Sequence, residues 1–135
     1  MERAIAVVND VTDLSELLDG ARVDRARLVP EGGRLRLELE LTRACRELQT
    51  VVRRGLLKRS TTPWAKSRVV LDRVSEAMVQ RLVEMPPEPI PLLTCEAVAG
   101  GYQLTVTTSD GLRVDVTLAA LSGRFMDTAA PVEFP

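Results

Sequence analysis

The sequence predicts an α+β domain: a mainly antiparallel sheet (curled, barrel-like or sandwiched) with one short N-terminal helix. Three observations predict it. Leu35, Leu37, Leu39 and Leu41 alternate with Arg34, Arg36, Glu38 and Glu40, and Leu112, Val114, Val116 and Leu118 alternate with Arg113, Asp115, Thr117 and Ala119. A period of two is that of a strand with one buried face. Gly32-Gly33, Gly100-Gly101 and Asp110-Gly111 stand where such strands must reverse. Helical spacing is clear in one early segment: Val11, Leu14, Leu17 and Leu18 fall on one face. The 135 residues fit a single domain, 1–135.

The elements follow in order. Residues 4–8 read as a short strand or an extended lead-in. The helix over 11–19 takes Asp10 as its N-cap and Gly20 as its stop. Residues 22–29 and 34–41 form strands joined through Pro30-Glu31-Gly32-Gly33. Residues 48–59 read as a strand bent at Gly55, with a turn at Thr61-Thr62-Pro63 and a return strand over 67–71. Residues 72–84 admit two readings. Leu71, Val74, Met78, Leu82 and Met85 recur at helical spacings, whereas Ala77, Val79 and Val83 fit a strand. The helical count is slightly larger, so a second helix is expected near 72–84 with a strand as the alternative. Pro86, Pro87, Pro89 and Pro91 mark a stiff crossover over 86–91 between two β-rich halves. Strands over 93–98, 102–108 and 112–118 complete the second half. Beyond Leu121 the chain reads as a tail lying on the surface.

Composition excludes more than it suggests. The chain has no histidine and only four aromatic residues, Trp64, Tyr102, Phe125 and Phe134, so its core is aliphatic, drawn from 19 Leu and 17 Val. Without histidine there is no Ser-His-Asp or Cys-His site and no histidine-containing zinc site within the chain. Cys45 and Cys95 lack a C-x-x-C partner and are read as small buried residues. No Gly-rich phosphate loop precedes a helix. Asn9, Asp10 and Asp13 carry cation-type oxygens, but helix capping accounts for them. No catalytic residue, cofactor or metal ligand is therefore assigned. The charged Glu2 and Arg3, the short apolar stretch after them and the Gly/Thr-rich run 97–109 lead to an expectation of cytoplasmic location without a membrane span.

Charge is segregated although the net charge is −1. Residues 1–42 have net −3, 43–73 net +7 and 74–135 net −5. The basic segment also holds the single tryptophan. Arg53, Arg54, Lys58, Arg59, Trp64, Lys66 and Arg68 are thus the candidate anion- or partner-binding residues. Arginines around an exposed aromatic suit nucleic acid, because cations release counterions from phosphate and the ring stacks on a base. The competing reading pairs this segment with acidic strands of the same chain or of a partner, with Trp64 in the core.

Asp13-Leu14 in an N-terminal helix, residues 21–29 leading into a leucine-alternating strand, the Gly-Gly then Asp-Gly double hairpin, and Asp127 and Pro131 near the end resemble small uncharacterised bacterial β-rich families. That resemblance implies a strand around 74–79 and no activity. The leading functional expectation is a small non-catalytic interaction or structural module that forms a homodimer, since long strands need their edges covered. The alternatives are nucleic-acid or polyanion binding through 53–68, and a histidine-free enzyme using carboxylates.

Overall fold

The computed structural model describes residues 1–132 apart from 56 and 85–89, and for 51–54 and 57–60 it describes the backbone alone. The chain runs β1 (Glu2–Ile5), α1 (Val8–Leu17), β2 (Arg22–Glu31), β3 (Arg34–Ala44), a 3₁₀ turn (Arg46–Leu48), β4 (Thr50–Arg54), β5 (Leu57–Thr61), β6 (Trp64–Arg81), β7 (Leu93–Val98), β8 (Gly101–Thr107), β9 (Leu112–Leu118) and β10 (Gly123–Asp127). Among the described residues all the pairing is antiparallel: one curled eight-stranded sheet and a separate two-stranded ribbon, β4–β5. The α+β expectation with one short helix holds.

The long β6 organises the sheet. β3 pairs along one edge from Trp64 to Val74, with β2 outside it. The opposite edge is shared by two strands in succession. β10 pairs with residues 67–71, and β9 pairs with residues 74–81. Between them β6 is kinked at Arg73, whose φ is +60°. There the Asp72 N–H donates to Ser122 O and the Ala119 N–H donates to Arg73 O, which carries the hydrogen bonding across the break. β1 adds outside β10, and β8 and β7 add outside β9.

The sheet curls around Leu37, Leu39, Leu41, Val69, Leu71, Leu104, Val116, Leu118 and Phe125, all buried. α1 packs against β7 and β1 and sends Val11 and Leu14 into this core, where Leu18, at its C-cap, joins them. Its start differs from expectation. Asp10 is the third helical residue, and its carboxylate accepts the Ala6 and Val7 N–H groups at 2.8 and 3.0 Å. Those bonds satisfy the free amides of the helix start and lower the Asp10 pKa. Gly32 and Gly33, with φ of +55° and +80°, close the β2–β3 hairpin in a conformation that branched residues resist.

Three sequence expectations are corrected. Residues 72–81 are strand, as the family resemblance implied, because pairing with β9 buries Val74 and gives the amides a ladder. Helical periodicity over five apolar residues is too weak to compete with that pairing. The chain beyond Leu121 is no surface tail: β10 lies between β1 and β6, and Phe125 is 0% exposed. Gly123 makes this possible, since a Cβ there would strike the Val70 carbonyl oxygen. Finally, Gly55 is the reversal of the β4–β5 ribbon rather than a bend within one strand. Most of the Pro-rich crossover, residues 86–89, lies outside the described residues.

Candidate functional site

The basic segment separates into three places. Arg53, Arg54, Lys58 and Arg59 belong to the β4–β5 ribbon, with Arg53 opposite Lys58 and Val52 opposite Arg59; their side chains lie outside the described set. The ribbon leaves the sheet where the Cys45 N–H donates to Pro63 O at 2.7 Å. Trp64 sits at its base, half-buried, opposite Ala44 on β3 and bonded through its backbone to Val132. Lys66 and Arg68 lie further along β6.

Lys66 and Arg68 are engaged with carboxylates of the same sheet. Lys66 Nζ is 3.2 Å from Asp24 and donates to the Thr42 hydroxyl at 2.8 Å, while that hydroxyl donates to Asp24 at 2.6 Å. Arg68 lies 3.6 Å from Glu40. Beside them Arg27 and Arg36 hold Glu38 at 2.8 and 3.1 Å. The hydrogen bond from Arg27 keeps the buried Glu38 carboxyl below its ordinary pKa. Strand register produces this lattice, because acidic positions of β3 face basic positions of β2 and β6 directly across the ladder. For Lys66 and Arg68, then, the structure shows pairing within the chain.

Sequence reasoning missed the most buried charge. Arg43 is 1% exposed, at the inner end of β3. Its Nε and Nη2 donate to both oxygens of Asp127 at 2.9 and 2.8 Å, and Nη1 and Nη2 donate to Glu47 at 3.2 and 2.8 Å. Ser67 donates to Asp127 at 2.7 Å, and the guanidinium lies 5.7 Å from the centre of the Phe125 ring. Burial pushes the Asp127 carboxyl up, but the bonds from Arg43 and Ser67 outweigh it and hold its pKa at about 2. The signal for Arg43 was present: extending the alternation 35, 37, 39, 41 by one step puts residue 43 on the buried face. Asp127 had no such signal, because its place depends on β10 finding β6.

This cluster is chemically closed. Each guanidinium nitrogen is bonded, and both carboxylates are held ionised, with Glu47 lowered chiefly by Arg43. A carboxylate acid–base pair requires one member kept protonated near neutral pH. Among the described carboxyl groups with a shifted pKa, namely Asp10, Asp24, Glu38, Glu47, Asp110 and Asp127, every shift is downward. Burial raises both thiols, Cys45 and Cys95, which disfavours the reactive thiolate. Among the described residues no three metal-ligating side chains converge.

A different feature stands out on β6. Past Val74 it outruns β3, and among the described residues no strand covers that edge of residues 75–81. The Leu82 N–H donates to Gly111 O, so residues 76, 78 and 80 turn their amides toward β9. Ala77, Val79 and Arg81 therefore direct theirs to the open side. Met78 and Val79 are 64% and 60% exposed, one on each face. The other edges are blunted. β2 has Arg22, Arg25, Arg27, Pro30 and a bulge between Val23 and Arg25, β1 is four residues long, and α1 packs on β7. No helix among the described residues is long and apolar enough to cross a membrane. Comparisons with protein-family models, with curated proteins and with solved structures return no match to this chain.

Proposed function

We propose that this protein is a non-catalytic interaction module that joins a second copy of itself through the open edge of β6. The observation that carries the reading is that edge: seven residues, 75–81, with the outward amides of Ala77, Val79 and Arg81, exposed Met78 and Val79, and charge only at Glu76 and Arg81. A two-fold interface requires one patch to complement itself. With Val79 on the axis, antiparallel pairing sets Ala77 opposite Arg81 and Met78 opposite Gln80 of the second copy. Every outward-facing N–H then donates to a carbonyl of the second copy, and no like charges stand opposite one another. The sheets of two molecules would become one.

Light scattering across a concentration series tests this, with a dimer expected at tens of micromolar. Val79→Pro removes one outward N–H without touching the β9 ladder, and it should shift the protein to monomer with its circular dichroism unchanged. A wild-type monomer at about 100 μM, or a Val79→Pro dimer as tight as wild type, overturns the reading.

A further inference from the structure

The kink of β6 is also a bulge. Leu35 pairs with Val74 and Leu37 with Leu71, so Asp72 and Arg73 together oppose the single residue Arg36. Such an extra residue bends the strand and re-aims its side chains. Among the described residues Arg73 is the one non-glycine with a positive φ. Glycine adopts that conformation freely, whereas an arginine is strained in it. Strain of this kind clusters at ligand sites. An open cleft of about 350 Å³ lies beside the bulge. The β2–β3 hairpin lines it with Glu31, Arg34 and Leu35, the kink with Asp72 and Arg73, and the chain entering β10 with Ser122. Along the β2–β3–β6 ladder Asp24, Glu31, Glu38 and Glu40 are each ion-paired. The groups at the cleft are not: among the described residues Arg34, Asp72 and Arg73 have no ionic partner.

The charge left open, two cations and one anion in a single cleft, selects the ligand. A simple anion satisfies both guanidinium groups but meets the Asp72 carboxylate as a like charge. A simple cation meets the two arginines in the same way. A molecule with a carboxylate and an ammonium on one carbon satisfies all three, because each contact is then a charge-assisted hydrogen bond. The cleft is at the small end of ligand cavities, and Leu35 is the one apolar residue of its lining. We infer that this cleft binds a free α-amino acid with a small aliphatic side chain, its carboxylate held by Arg34 and Arg73 and its ammonium by Asp72. The site uses none of residues 75–81, so it does not depend on self-association through β6.

The test is an NMR titration of the full chain with L-alanine, and with acetate and methylammonium as the two halves of its charge. Alanine should shift the amides of Arg34, Asp72, Arg73 and Ser122 saturably with a Kd of about 1 mM, and each half should bind at least about tenfold more weakly. Arg73→Gly removes the strain together with the cation. It should lose about tenfold in alanine affinity while its thermal midpoint stays at or above that of wild type, whereas a purely structural arginine would lower the midpoint and leave binding alone. Arg34→Gln, on the exposed hairpin, should lose about as much affinity with the fold untouched. Asp72→Asn removes the like charge and should bring acetate up to the affinity of alanine. The inference fails if alanine gives no saturable shift up to about 50 mM. It also fails if acetate binds the wild type as tightly as alanine does, or if either arginine variant binds alanine as the wild type does. Val79→Pro should leave alanine binding intact, which separates failure of this inference from failure of the dimer.

Discussion

The two halves of β6 have opposite surroundings. Along residues 64–74 β3 takes one edge; on the other, Val132 pairs with Trp64, β10 with residues 67–71 and β9 begins at Val74, and Val69 and Leu71 are sealed in the core. Along residues 75–81 one edge is taken by β9 and the other is open, with Met78 and Val79 in solvent. One continuous strand thus serves as the keel of the fold and as its exposed rim. The difference teaches that apolar content does not assign a role, since Val69 and Val79 are the same residue type on the same strand. What distinguishes them is whether a neighbouring strand reaches that far.

Charge shows the same contrast. Arg43, beside the covered half, is enclosed by Asp127, Glu47 and Phe125. The largest effect predicted on stability is there. Arg43→Met leaves Asp127 with only the Ser67 hydroxyl and the N-terminal ammonium, 3.3 Å away, in place of the two-point guanidinium contact, and should cost about 3–5 kcal/mol. Replacing Asp127 by Leu as well should recover most of that loss, since an apolar pair of similar volume is often neutral. Chemical denaturation of the two variants checks both statements, and an unchanged midpoint for the single variant would remove Arg43 from the stability of the covered half.

A smaller contrast compares the halves of β6 directly. Leu71→Ala opens a cavity in the covered half and should cost about 2–5 kcal/mol. Val79→Ala in the open half should stay within about 0.5 kcal/mol, measured on the monomeric protein by denaturant unfolding. Equal costs would mean that residues 75–81 are as enclosed as residues 64–74.

The last effect appears only in acid. Asp127 titrates at about 2 in the fold against an ordinary 3.8. Its folded-state pKa is depressed, so the stability it contributes is complete above the ordinary value and is lost as pH falls toward the folded one. The gap in thermal midpoint between wild type and Asp127→Asn should therefore hold down to about pH 4 and narrow between pH 4 and pH 2. A gap constant across that window would show that ionisation of Asp127 is not what Arg43 stabilises.

Much of the fold was legible because it is local. The alternations at 35–41 and 112–118 and the turns at Gly32-Gly33 and Asp110-Gly111 state strand, face and reversal within a few residues. The segment 72–84 misleads because Leu71, Val74, Met78 and Leu82 satisfy a helical period by chance, while the decisive partner, β9, lies more than thirty residues away. The candidate site was legible in part. Composition located the basic ribbon, but nothing local showed that Lys66 and Arg68 would meet Asp24 and Glu40.

The sequence by itself determined the aliphatic core, the absence of imidazole chemistry, the helix on Val11 and Leu14 and the hairpin reversals. Each depends on residue type or on spacing within one turn or one strand. Tertiary structure alone decided that β10 would be an inner strand, that Asp127 would reach Arg43 across 84 positions, and that β6 would be covered along one half and open along the other. These are pairings between distant segments, and their free energy comes from burying both partners at once. No single segment contains that information.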